Sequence, residues 1–588
     1  MTIPKKLTFL SLVNNSVSSF SERPALGYVG KKSLTYHQVG EKVRHLRDRL
    51  IQNGIKKGDK VVLLAQNMPH WGVSYLAVTS MGAVVVPVLI DFTAEEIYKI
   101  LEHSDAKGII VSEKQAHKLS GGLPAKVNFA ILMDNFIPLS LGNLELNGSV
   151  VEAKASQYAV AEKPAGEEPS EHDLAAILYT SGTTGKPKGV MLSHKNILSN
   201  AANTLDMQPV IPEDRLLSVL PLPHTYECTI GFIIPFMSGS SVYYLDKLPT
   251  PAVLLPAMQK VKPTMMLTVP LIIEKVYQNR VLPKLTGSAV MRTLMRSERL
   301  KKLFHRLAIK KINKAFGGHI HFFGIGGAKL NPETERFLRN ARFPYAIGYG
   351  LTETAPLVAG SGPQHTKFQS TGPVIPGQEM RILDPNPHTG EGEILARGPH
   401  VMQGYYKEPE LTREVFTSDG WFKTGDLGTI DEDGYLFIRG RLKNVIISST
   451  GENIYPEDIE AVINTEQHVQ DSLVYELKGK LVAKVHLNYE EIDKRYHELK
   501  ESAGQSYHEL KESAGQSYQE LKASANQLYA QVQEKVKERL EEIQRRVNAR
   551  LNRFSRLTMI EEQDEPFEKT PTKKIKRFLY HDKKKDES

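Results

Sequence analysis

Helix and strand signals alternate along the chain from Leu34 to Ile90, and that alternation leaves few folds open. Val39 to Ile51 spaces its apolar residues for one helix face, and Lys60 to Ala65 is a short apolar run with the character of a strand. Trp71 to Met81 predicts a second helix and Ala83 to Val88 a second strand. Gly108 to Val111 and Asn128 to Met133 continue the strand series. Parallel strands cannot be joined by a tight turn, so each needs a crossover, usually a helix. The pattern predicts an α/β fold with a mainly parallel sheet covered on both faces. Asn147 to His172, polar and carrying prolines and glutamates, reads as a connector.

The next apolar run, Leu174 to Leu178, empties into Tyr179-Thr180-Ser181-Gly182-Thr183-Thr184-Gly185-Lys186-Pro187-Lys188-Gly189. Its three glycines let the backbone approach a ligand and turn N–H groups toward it, and its hydroxyls and two lysines add donors and positive charge. Such a loop suits a polyphosphate. It is not a Walker loop, because only Thr183 and Thr184 separate Gly182 from Gly185 and a proline follows Lys186. A polar surface turn is the plain alternative. Ser193, just beyond, is placed to cap a helix, so the expectation is strand, loop, helix.

Further apolar strands end in unusual turns. Leu217 to Leu220 leads into a proline-rich turn with His224 and Glu227. His321 to Ile325 leads into Gly326-Gly327-Ala328, and Tyr345 to Ile347 into Gly348-Tyr349-Gly350-Leu351-Thr352-Glu353. Ligands of α/β sheets sit beyond strand carboxyl ends, where Tyr349 can pack on a purine and Glu353 is a hard oxygen ligand suited to Mg²⁺. From Gly392 to Ile438 the chain turns β-rich, in short strands at Gly392 to Arg397, Gly404 to Tyr406, Trp421 to Thr424 and Gly434 to Ile438. Asp426 and Arg441 follow in glycine-flanked turns. Each of these pieces, taken singly, is also ordinary core or surface turn.

Taken in order, these blocks resemble the adenylate-forming superfamily, with the look of its long-chain fatty acid–CoA ligases. The resemblance implies a large N-terminal domain over residues 1–440, of several layers and with a small β-subdomain. It implies a mobile α+β C-terminal domain over 441–588, hinged at Lys443. Asn444 stands where many members have Asp. The implied reaction is attack of a carboxylate on ATP to give acyl-AMP and pyrophosphate, then transfer of the acyl group to coenzyme A. Thr180, Ser181, Gly182, Thr183, Thr184, Gly185, Lys186 and Lys188 would hold phosphate. Glu353, with Thr184, would hold Mg²⁺, and Thr352 would sit near the phosphate oxygens. Gly327, Ala328, Gly348, Tyr349 and Gly350 would flank adenine, and Asp426 and Arg441 the ribose. His224 would gate the acyl pocket, Gly451 would line the path of the thiol, and Lys574 would meet the α-phosphate and the carboxylate. Lys573 and Lys576 lie close enough to compete for that last role.

One stretch departs from the family pattern. Tyr496 to Ser506 repeats almost verbatim from Tyr507, more loosely from Tyr518, and decays from Tyr529 to Leu557. A period of eleven is close to three helical turns, so the Tyr, Leu and Ala positions form one nearly straight stripe. A long amphipathic helical insertion at about 494–557 is expected, projecting from the surface. Its roles would be peripheral lipid contact, self-association or plain spacing; the basic part, Lys535 to Arg556, suits anionic lipid. Arg292 to Lys314 reads as a basic surface helix, either solvated or facing a membrane.

Composition narrows the rest. The single cysteine, Cys228, excludes an internal disulfide and a cysteine-rich zinc site. The net charge of +8 favours anionic substrates or lipid surfaces, and no nucleic-acid motif accompanies it. The longest apolar stretch, Met81 to Ile90, falls well short of the roughly 20 residues that span a bilayer. No signal peptide is expected. The expectation is a cytoplasmic protein whose membrane contact, where present, is peripheral at the inner face. Within enzymes the alternatives are a ligase for aryl or medium-chain acids and one that loads acyl carrier protein. The alternative of another class is an inactive lipid-surface scaffold.

Overall fold

Neighbouring residues of the strand Lys60–Leu64 face two different cores. Val61 and Leu63 point into one apolar cluster, and Val62 and Leu64 into another. This is the period-2 geometry of a strand covered on both faces, and it explains why the run is continuously apolar. The computed structural model describes residues 3–139, 167–181, 187–447, 453–488, 517–570 and 574–581, with backbone alone at 181, 187, 517–533 and 581.

The first sheet runs in the order Gly404–Tyr405, Pro187–Ser193, Leu174–Ser181, Val84–Val88, Lys60–Leu64, Ala106–Val111, Phe129–Leu132. Its last five strands are parallel, and the first two pair antiparallel at one edge. The second runs Leu357–Gly360, Tyr345–Gly350, Phe322–Ile325, Met265–Thr268, Arg215–Ser218, Ser241–Tyr244, Pro24–Tyr28, Leu34–Thr35. Six of its strands are parallel, with an antiparallel strand at each edge. Leu216, Met265 and Phe322 face the core shared with the first sheet, while Leu217, Met266 and Phe323 face a third cluster.

The layers are therefore helices, sheet, helices, sheet, helices. Pro69–Ser80 lies in the middle layer, and its side chains are buried nearly all round, from Trp71 to Ser80. A helix apolar on every side belongs in such a position. A smaller sheet, in the order Glu379–Leu383, Gly392–Arg397, Phe422–Ile430, Leu436–Arg441, supplies the β-rich part. Gly404–Tyr405 is not in it, because its two residues pair with Val190 and Met191 of the first sheet.

The chain divides into two compact units, Met1–Thr424 with Gly428–Ile438, and Gly425–Leu427 with Arg439–Ser588. The second unit has its own sheet, Val469–Leu477, Lys480–Leu487 and Met559–Glu562. It has its own core as well, in which Ile459, Ile463, Val474 and Val485 meet Val536, Leu540, Ile543 and Val547. The last four come from the helix Ser517–Arg550. This corrects the expected projecting helix for its later part: the apolar stripe from Val536 to Val547 is covered by the unit's own sheet and helix. Arg546 and Arg550 face Glu466 at 3.7 and 3.4 Å, so part of the basic face is also answered within the protein. The earlier repeats, 496–516, lie outside the described residues.

Arg292 to Lys314 is two helices rather than one. Ala289–Leu294 ends before Ser297, and Glu298–Ala315 follows. Among the described residues no helix is long and apolar enough to cross a membrane.

Candidate active site

The described ends of the phosphate-type loop are two paired strands. Leu174–Ser181 pairs antiparallel with Pro187–Ser193, and Tyr179 lies opposite Gly189, Thr180 opposite Lys188 and Ser181 opposite Pro187. The expected passage from loop straight to helix is thus corrected by an intervening strand. Its apolar core, Val190 to Leu192, is three residues long, too short to stand out as a strand by pattern. The helix His194–Met207 follows, and Ser193 caps it in a reciprocal capping box with Asn196. Gly182, Thr183, Thr184, Gly185 and Lys186 lie outside the described residues.

Tyr405 ties this hairpin to the acidic turn. The Lys188 ammonium lies over the Tyr405 ring, 5.6 Å from its centroid. The phenol of Tyr405 donates to Glu353 Oε1 at 2.9 Å. The Glu353 carbonyl in turn accepts from Met402 N–H at 2.8 Å, just before the Gly404–Tyr405 strand. Residues 188, 353 and 405 thus meet although about 165 positions separate the first two. Thr352, Glu353 and Thr354 form one helical turn at the end of Tyr345–Gly350. Gly350 cannot be replaced there, because a Cβ would stand 1.8 Å from the Pro356 carbonyl oxygen.

The strands feeding these turns are in register. Ile347 pairs with Ile325 and Ile325 with Thr268, so Gly348-Tyr349-Gly350, which end their strand paired with Leu357–Gly360, and the turn Gly326-Gly327-Ala328 stand at the same end of the sheet. Gly327 takes a left-handed φ of +86°, and a Cβ there would meet Val269 Cγ1 at 3.8 Å. Tyr349 is half-buried, packed on one side against the Ala359, Ile394 and Leu436 cluster.

A third turn arrives from the neighbouring strand Arg215–Ser218. Asn67, beyond the end of Lys60–Leu64, donates to Ser218 Oγ and accepts from Leu222 N–H, at 2.9 Å each, fastening the first sheet to the second. His224 opens the helical turn that continues as Tyr226–Ile233, where Cys228 N–H reaches the His224 carbonyl. A methyl group on Gly326 would come within 3.1 Å of the Tyr226 ring, so this turn lies against the second glycine turn. Behind it the Glu227 carboxyl is fully buried and accepts from Ser218 Oγ at 2.5 Å. Burial pushes that carboxyl up to about 8.

In the second unit the Arg441 guanidinium meets Asp426 Oδ1 at 2.8 Å, with Asp426 itself buried. Lys574 is exposed, and its carbonyl accepts from Thr570 N–H at 2.7 Å. Its neighbours are engaged in other ways. Lys569 pairs with Asp471, Lys576 with Glu568 at 3.6 Å, and Arg577 with Glu460. Gly451 and Lys573 lie outside the described residues.

Residues 13–406 match the AMP-binding enzyme family. The chain belongs to that family. A long-chain-fatty-acid–CoA ligase, FadD15 of Mycobacterium bovis, is 31% identical over 468 residues, covering 75% of each chain. 4-Coumarate–CoA ligase 1 of Petroselinum crispum is 30% identical, covering 80% of this chain and 82% of its own. The fold is also that of ATP-bound MatB from Rhodopseudomonas palustris, with a TM-score of 0.70, 98% coverage of both chains and 23% identity. For an AMP-binding enzyme the features missed in the sequence are Tyr405, Asn67 and Tyr226. None carries a local signal, since each acts across strands that are distant in the chain.

Proposed function

We propose that the protein is an AMP-forming acid–thiol ligase that activates a long-chain fatty acid with ATP and passes the acyl group to coenzyme A. The observation that carries the proposal is the junction of Lys188, Tyr405 and Glu353, which sets a cationic hairpin beside a carboxylate. Both reactants of the first step, a carboxylate and a polyphosphate, are anions. A site for them needs fixed positive charge and oriented backbone N–H groups more than it needs a protein nucleophile.

In this reading Thr180 to Lys188 cradle the β- and γ-phosphates. The residues also fit Mg²⁺. Glu353 is a hard oxygen ligand held in place by Tyr405, and no group of three acidic, histidine or cysteine residues occurs among the described residues. Mg²⁺ needs no such cage, since one or two carboxylates and substrate phosphates suffice; bound there, it would neutralise phosphate charge. Gly327, Ala328 and the Tyr349 face not packed on Leu436 take adenine. Asp426, oriented by Arg441, accepts from the ribose hydroxyls. Lys574 supplies the cation for the α-phosphate. Beside His224, the half-buried Tyr226 and the neutral, buried Glu227 present no charge, which favours a hydrocarbon chain over a charged acid.

The chain-length assignment is tested with an acid panel from acetate to palmitate, with 4-coumarate included, each with coenzyme A or acyl carrier protein. The expected result is a kcat/KM that rises with chain length and a thioester of coenzyme A. A maximum at 4-coumarate or at a short acid would transfer the protein to a different substrate class. AMP formation without any coenzyme A thioester would reassign the acceptor.

A further inference from the structure

The positive charge of the molecule is concentrated in one segment. Residues 270–315 hold twelve lysines and arginines and two glutamates, a net +10, whereas the whole chain is +8. The remainder is therefore slightly acidic. The segment leaves the second sheet after Met265–Thr268 and returns to it as Phe322–Ile325. Among the described residues its one ion-paired cation is Lys301, 3.5 Å from Glu298.

Its longest helix, Glu298–Ala315, is two-faced. His305, Ile309 and Ile312 are buried against the third core cluster. On the opposite face Leu303, Leu307, Lys310 and Lys314 follow at spacings of four, three and four, which places them in one row. Leu303 and Leu307 are 50% and 51% exposed, and Val290, in the helix just before, is 68% exposed. Scattered exposed leucines are ordinary on a soluble surface. Here they sit among unpaired cations whose mutual repulsion is unfavourable unless an anionic partner is present.

We propose that this face docks on an anionic lipid bilayer. Its lysines and arginines lie at the phosphate headgroups, and Leu303 and Leu307 enter the boundary between headgroups and acyl chains. Cations interleaved with large aliphatic side chains favour a bilayer over nucleic acid, whose phosphate backbone offers no apolar phase. Val269, where the segment begins, lies beside the Gly327 turn, so a docked molecule presents this end of the sheet toward the source of a lipid acid. That consequence rests on the long-chain reading; the docking does not.

The test is flotation of the full chain with vesicles of phosphatidylcholine alone or with a third phosphatidylglycerol. Binding is expected only to the anionic vesicles, and it weakens as salt is raised. The triple variant Lys302→Gln/Arg306→Gln/Lys310→Gln is expected to lose at least about tenfold in partition, and Leu303→Ser/Leu307→Ser to lose binding as well. Adenylation of a water-soluble acid by both variants stays at the parent rate, which shows that they fold. A polarity-sensitive dye on Leu303→Cys shifts to the blue with anionic vesicles. Equal binding to neutral vesicles, unchanged binding by the variants, or retention on heparin with no vesicle binding would overturn the proposal. So would loss of flotation on deleting residues 496–528 instead.

Discussion

Burial holds the Glu227 carboxyl neutral near pH 7, and this makes a stability prediction. Its ordinary value of 4.5 is pushed up to about 8 in the fold, so the native state binds the proton more tightly than the unfolded chain. The stabilisation is fully present below about 4.5 and is lost as pH rises through about 8, with a slope of up to about 1.4 kcal/mol per pH unit. Glu227→Gln keeps the acceptor for Ser218 and removes the ionisation. Melting temperature across that pH range is expected to flatten in the variant, which becomes the more stable form at its alkaline end. Parallel curves for the two proteins would show that Glu227 does not ionise with folding. A second residue-scale prediction separates the clustered lysines. Lys574→Ala is expected to lower acyl-AMP formation by at least about a hundredfold, the loss typical of removing a charge that meets the transition state, and to spare thioester formation from supplied acyl-AMP. Lys576→Ala, whose lysine pairs with Glu568, retains most adenylation. The reverse order in pyrophosphate release would move the role to Lys576. Tyr405 was not legible in the sequence. It contacts Lys188 and Glu353 only because Gly404–Tyr405 adds to the edge of the first sheet, and pairing partners cannot be read from a two-residue strand.

At the scale of elements, the phosphate hairpin and the repeat helix show where periodicity misleads. The hairpin's return strand is masked by its own brevity. The repeat helix was legible as a helix, yet its destination was not, because an apolar stripe looks the same whether it meets lipid, a second chain or its own domain. From Val536 to Val547 it meets its own domain. Ile543 is fully buried there, so Ile543→Ala is expected to cost about 2–5 kcal/mol. Deletion of residues 496–528, which precede this stripe, is expected to leave the melting of this unit near that of the parent. Calorimetry of both variants checks the pair of statements, and a deletion as destabilising as Ile543→Ala would mean that the early repeats also pack on the unit.

The whole molecule was the most legible level. Continuous apolar runs separated by helix signals predicted parallel sheets covered on both faces, and the two stacked sheets have that form with antiparallel edges. The sharing of one central core between them was not foreseeable, since it depends on Pro69–Ser80 being buried all round. That stacking, with Asn67 as a fastener, brings three turns to one end of the second sheet. The central claim is that a carboxylate attacks the first phosphorus of ATP at this end. A fatty acid carrying ¹⁸O in its carboxyl group, incubated with ATP, Mg²⁺, coenzyme A and the protein, tests it most directly. Attack at the α-phosphorus leaves one carboxyl oxygen on the nucleotide after thiolysis, so mass spectrometry is expected to find ¹⁸O in AMP and none in pyrophosphate. Label in inorganic phosphate with ADP as co-product, or unlabelled AMP beside labelled thioester, would contradict the account.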